Sequence, residues 1–304
     1  MDPCVHSETQ LLTHVLLGSA ISLGSVPKLE DLYDPSSRKH LITNSFPTKE
    51  AMQHALDALA AVLKRYQVEV LHPDLVYDCN QVFARDLGFV IDGVWVQANI
   101  IPHRANELEG LVSLKKRIPK EKQLVFSEEV HLEGGDVIYH NDHILVGICT
   151  RADYASLLTA RTNQAAVIAL RNAFPDKKVV SFELIKSNTV PHENALHLDC
   201  CLQFVGSSYA ITCPKGFADP KEYAWLVDFV GADNIFEVTT IEMSHMMCNL
   251  VSISPTVIVS DARFDRLNNW LRQRLITVEE VDFSEVAKQG GSFRCVSMPL
   301  RRMP

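Results

Sequence analysis

The sequence contains no Cys-x-x-Cys pair, although eight cysteines are spread along its 304 residues. Without such pairs or a regular spacing, neither a zinc module nor a disulfide scaffold is expected. The start, MDPCVHSETQ, lacks a basic segment followed by an apolar run, so reduced thiols in a cytoplasmic protein are expected. No apolar stretch approaches the length that crosses a bilayer, so no membrane segment is expected. No Pro/Ser-rich linker or low-complexity run divides the chain, and residues 1–304 read as one domain. Positive charge is also in short supply: 29 Lys+Arg against 37 Asp+Glu leave a net charge of -8. That balance excludes a nucleic-acid surface or an anionic membrane as the expected partner.

What is present is a recurrence. Four segments read strand, turn, strand: VFARDLGFVIDGVWVQANIIPHR, HLEGGDVIYHNDHILVGICTR, ALHLDCCLQFVGSSYAITCPKGF and SHMMCNLVSISPTVIVSDARF. Each carries an acid or amide near its first strand (Asp86, Asp136, Asp199, Asn249) and then a turn signal such as Asp92-Gly93 or Asn141-Asp142. Helical periodicity follows most of the hairpins, at 152–173, 220–230 and 263–275, with a shorter helix expected within 105–118. Residues 49–66 carry a further helix. After these helices come short strands such as VEVLH, VVSFELI and ITVEEVDF. The unit is hairpin, helix, strand. A fifth hairpin requires GGSFRCVSMPL, near the C-terminus, to pair with HVLLGSA near the N-terminus, closing a ring. An ordinary α/β protein with similar hairpins fits the same pattern. Ring closure would bring the start of every first strand, Cys295 included, to one centre.

At that centre Asp86, Glu133, Asp136, His197, Asp199 and Cys295 could converge. Clustered carboxylates in a low-dielectric site call for a cation. A guanidinium fits, being planar, permanently charged and able to pair bidentately. A metal is the rival, but only His197, Asp199 and Cys295 resemble ligands, and no spacing supports one. A thiol and an imidazole beside a guanidinium suggest attack on its carbon through a covalent adduct, without a cofactor. Each residue also has a plainer reading. His197 could be a strand histidine between Leu196 and Leu198, and Glu133-Gly134-Gly135-Asp136 could be only a turn. Arg85-Asp86 could be a surface ion pair, and His192 and Glu193 read as solvated.

Taken together, these motifs resemble the guanidine-modifying enzymes of the pentein fold: arginine deiminase, dimethylarginine dimethylaminohydrolase, arginine dihydrolase and the amidinotransferases. The resemblance spans nearly the whole chain from SETQLLTHVLLG and implies a five-bladed α/β propeller of ββαβ units. NQVFARD implies Asp86 as a guanidinium ligand with Asn80 bordering the pocket. HLEGGDV implies Glu133 beside the catalytic histidine. NALHLD implies His197 as acid/base and Asp199 as a second guanidinium ligand, with Asp136 at the same centre. GGSFRCVSMPL implies Cys295 as nucleophile. Arg151 falls at the interval from Glu133 where the family places an arginine for the substrate α-carboxylate. Arg104 stands one residue short of the second such arginine's place.

The chain departs from arginine deiminases in an extra residue ahead of the cysteine motif, within Lys288–Phe293, and it lacks room for their helical insertion. The resemblance implies a metal-independent hydrolase of a guanidino amino acid. Its small cationic substrate would be arginine or dimethylarginine, and a homodimer is the assembly common among relatives. An amidinotransferase, a non-catalytic binding protein of the fold and an unrelated cysteine amidase are the alternatives.

Overall fold

A computed structural model describes residues 1–303. Its strands form five three-stranded sheets of one design. In each, a central strand pairs antiparallel with one neighbour and parallel with the other. Gly88–Ile91 and Val94–Gln97 form such a hairpin, and Gln123–Val125 joins Val94–Gln97 in parallel. The same plan recurs in Val137–His140 with His143–Ile148 and Lys178–Glu183. It recurs again in Leu202–Val205 with Tyr209–Thr212 and Ile235–Glu237. Val251–Ser254, Val257–Asp261 and Thr277–Val281 make the fourth such sheet.

The fifth sheet closes the ring. Ser297–Met303 pairs antiparallel with Leu11–Leu17, which pairs parallel with Glu69–Leu71. The five-bladed pentein propeller is thus the observed fold. The hairpin turns follow their residues: Asp92 (φ 50°), Asn141 (φ 48°) and Asp142 (φ 59°) adopt the left-handed region that Asn and Asp tolerate.

The helices form where the apolar period sets them, with boundaries set by caps. Lys49–Arg65 buries Met52, Leu56, Leu59 and Leu63 along one face and starts at Thr48, whose hydroxyl accepts from Ala51 N. Pro220–Val230 starts at Asp219 with proline in its first turn. The short helix expected within 105–118 begins instead as a long 3-10 stretch, Pro102–Leu111, before Val112–Arg117. The helix expected over 152–173 is only Gln164–Ala173. Asn163 caps it, accepting from Ala166 N, while Thr162 turns its hydroxyl to Glu133 N. The preceding residues form turns and a short 3-10 segment, Tyr154–Ser156. Among the described residues no helix is long and apolar enough to cross a membrane.

Candidate active site

The inner strands are entered through tight turns, and these turns carry the chemistry. Residues 84–87, 134–136 and 198–200 are short 3-10 segments placed just before the strands that begin at Gly88, Val137 and Leu202. Cys295 lies in the corresponding turn before Ser297. Arg85 N donates to Cys295 O at 2.9 Å, and Leu198 N donates to Asp136 Oδ1 at 2.9 Å, so neighbouring turns are laced together. A cavity of about 780 Å³ opens beside them, lined by Asn80, Asp86, Arg104, Arg161, His197 and Cys295 among others.

On one side lies His197. Its Nε2 is 2.8 Å from Glu133 Oε2. Its buried Nδ1 has no hydrogen-bond partner and stands 3.5 Å from Asp86 Oδ1, which is likewise unpartnered. Burial opposes the charged imidazole, but Asp86, Asp136 and Glu133 outweigh it and hold the pKa above its ordinary value. Glu133 is fully buried; burial pushes its pKa up, yet Arg161, His197 and Arg104 hold it well below the carboxylate range. The Gly-Gly of HLEGGDV is required by space. A Cβ on Gly135 would stand 2.6 Å from His197 Nδ1 and 3.0 Å from Asp86 Oδ1.

On the other side lies Cys295, 3% exposed. Its Sγ accepts from Asn249 Nδ2 at 3.1 Å and lies 3.6 Å from Asp199 Oδ2. The Cys200 thiol, burial and the Asp199 charge push the Cys295 thiol well above its ordinary range. The two shifts favour a neutral thiol and a protonated imidazole. A guanidinium entering this site would reverse part of the thiol's shift.

Several residues stand elsewhere than the sequence suggested. Arg151 does not reach the cavity. It is half-exposed and paired with Asp153 at 2.7 Å, because the segment after it runs on before the next helix begins. Arg161, at the end of that segment, stands there instead, donating to Glu133 Oε2 at 2.9 Å with Tyr33 against its guanidinium. The signal that could have located it is the Asn163 cap, which places the arginine just ahead of a helix.

Asp136 and Asp199 do not line the cavity. Asp136 accepts from Leu198 N behind His197, and burial raises its pKa. Asp199 accepts from Arg294 Nη1 at 3.0 Å, and Arg294 is fixed from behind by Glu8. Arg104 does line the cavity, held by Asp86 Oδ2 at 2.6 Å and bidentately by Glu107. Asn80 donates to Gln289 on the cavity wall. Arg85-Asp86 is buried rather than superficial, and His192 and Glu193 are exposed. Among the described residues, the grouping that comes close enough to ligate a cation is Asp86, Glu133 and His197, and not the His197, Asp199 and Cys295 that resembled ligands in the sequence. Arg104 and Arg161 already engage its carboxylates.

This ring of five ββαβ units, with its chemistry at the strand entries, is that of the pentein superfamily, whose guanidine-modifying members the motifs resemble. Residues 34–302 match the family described as N,N dimethylarginine dimethylhydrolase, eukaryotic, and the chain belongs to that family. It is 30% identical over 271 residues to the uncharacterized protein YkgA of Bacillus subtilis, covering 88% of this chain and 85% of that one. It is 26% identical over 209 residues to arginine deiminase of Pediococcus pentosaceus. That match covers 58% of this chain and 48% of the deiminase, so the chain spans about half of that relative's length. Among solved structures, the N-terminal domain of ArgZ, a cyanobacterial arginine dihydrolase, superposes with a TM-score of 0.78 at 16% identity. The superposition covers 95% of this chain and 98% of the other. The protein is a guanidino-modifying pentein.

Proposed function

We propose that the chain is a cysteine-dependent hydrolase of a guanidino amino acid, with Cys295 as nucleophile and His197 as acid/base. The observation that carries this reading is one cavity lined by Cys295, His197 and Asp86, with the buried Asp86 Oδ1 left without a hydrogen-bond partner. The guanidinium binds Asp86 Oδ1 while Oδ2 stays with Arg104. Its positive charge draws the thiol towards thiolate, the thiol proton passing to solvent in the cavity.

The thiolate attacks the guanidinium carbon and forms a C–S bond. The C–N bond to the departing amine breaks as His197 gives that amine a proton. His197 then takes a proton from water, which attacks the same carbon. The C–S bond breaks as the new hydroxyl releases its proton to solvent, leaving a ureido product and the free thiolate. Arginine would give citrulline and ammonia; dimethylarginine would give citrulline and dimethylamine. Arg104 and Arg161 line the cavity and are the guanidinium groups that a substrate carboxylate could reach; Arg151 has no part. Asp199 acts from behind Cys295 rather than on the substrate.

The test is product analysis by mass spectrometry after separate incubations with arginine, dimethylarginine, citrulline and agmatine. Citrulline from arginine supports a deiminase, ornithine a dihydrolase, and turnover of dimethylarginine alone the corresponding hydrolase. Transfer to an added amine in place of water would move the assignment to an amidinotransferase. Cys295→Ser should abolish turnover with an unchanged circular dichroism spectrum. Persistent turnover by that variant would overturn the mechanism.

A further inference from the structure

Asn249 occupies, in the fourth unit, the place that Asp86, Asp136 and Asp199 occupy in the others. It is fully buried and sits directly behind the nucleophile's turn. Its Oδ1 accepts three backbone N–H groups, from Ser292 at 3.2 Å, Arg294 at 3.0 Å and Cys295 at 3.1 Å. Its Nδ2 donates to Asp199 O at 3.2 Å and to Cys295 Sγ at 3.1 Å. Three converging N–H donors fix which way the amide faces. Its oxygen must point at the turn, and so its NH₂ must point at the sulfur.

We propose that Asn249 is a catalytic residue of this site, donating the hydrogen bond that stabilises the Cys295 thiolate; the proposal rests on Cys295 being the nucleophile. The physical case is an asymmetry around Sγ. Asp199, 3.6 Å away, and burial both disfavour a negative sulfur. Asn249 Nδ2 is the donor that reaches it. A hydrogen bond strengthens when its acceptor becomes charged, so this contact is worth more to the thiolate than to the thiol. An aspartate here, as in the other three units, would add a second carboxylate beside the nucleophile and no donor. The amide retains the acceptor that ties the turn and supplies the donor that the chemistry needs.

The experiment is site-resolved alkylation. The protein is treated with iodoacetamide across a pH series, and labelling of the Cys295 peptide is followed by mass spectrometry. This readout needs no substrate, so failure of the hydrolase reading and failure of this inference are distinguishable. Asn249→Asp keeps the oxygen that ties the turn but loses the donor, and Asn249→Leu loses both without adding charge. Both variants are expected to alkylate about 10- to 100-fold more slowly at a given pH, with the labelling curve moved to higher pH. Alkylation of folded Asn249→Leu at or above the wild-type rate would overturn the proposal, because a purely structural amide would leave a loosened, more accessible thiol. If the Leu variant fails to fold, Asn249→Asp decides alone: a labelling curve superimposable on wild type refutes the role.

Discussion

Two buried charge networks flank the nucleophile, built from the same residue types and organised differently. On the cavity side, Asp86, Glu133 and Glu107 meet Arg104, Arg161 and His197. Behind Cys295, Glu8 and Asp199 meet Arg294, with Arg85 near Glu8 at 3.8 Å. In the second network both carboxylates are saturated, and Arg294 also donates to Val137 O. In the first, Asp86 Oδ1 and His197 Nδ1 are left without partners although neither can reach water. An unmade hydrogen bond in a buried site is costly, and where it borders a cavity a ligand can complete it. Identical residue types thus serve as scaffold on one side and as receptor on the other.

The largest effect that would sharpen this contrast is expected from Arg294→Ala. It leaves Glu8 and Asp199 buried without their shared cation, and breaking such a pair typically costs about 3–5 kcal/mol. Denaturant unfolding should report that loss. An unchanged midpoint would show that the rear network is not a scaffold.

The next effect is a pH dependence. Burial pushes the Glu8 carboxyl up, but Arg294 and Arg85 outweigh it and bring its pKa from 4.5 to about 2. A depressed carboxylate contributes stability that is complete above its unfolded pKa and lost as pH falls through its folded one. The protein should therefore lose stability between about pH 4.5 and 2, and Glu8→Gln should flatten that slope. Equal slopes in thermal melts across the window would refute the assignment.

The smallest effects distinguish Arg161 from Arg151. Arg161→Ala removes a buried partner of Glu133 on the cavity wall and should lower kcat/KM for a carboxylate-bearing substrate about tenfold or more. Arg151→Ala removes an exposed, solvent-screened pair with Asp153 and should leave both the unfolding midpoint and the activity unchanged. The reverse ranking in steady-state kinetics would restore Arg151 to the site.

The contrast also marks how far the sequence could be read. Period-2 strands and Asp and Asn turn residues are local signals, so the repeat and the hairpins were legible, and the closing strand pair followed from the missing fifth unit. The entry positions of Asp86, His197 and Cys295 followed from that repeat. Arg161 was not legible by spacing because apolar periodicity ran through it, while the Asn163 cap ended the helix after it. Asp136 and Asp199 shared the pattern of Asp86 yet turned away from the cavity, towards Leu198 N and Arg294.

What the chain determined by itself is therefore the recurring hairpin, helix, strand unit and the turn residues that open each inner strand, since both depend on local periodicity and turn chemistry. Which of those residues faces the cavity, which is neutralised from behind and which donates to the sulfur was decided only by tertiary structure. Glu8 lies 286 positions from Arg294 in the chain, and Asn249 lies 46 from Cys295. Partners so distant are chosen by the closure of the ring, because a buried charge or amide must find its partner wherever packing brings one within reach.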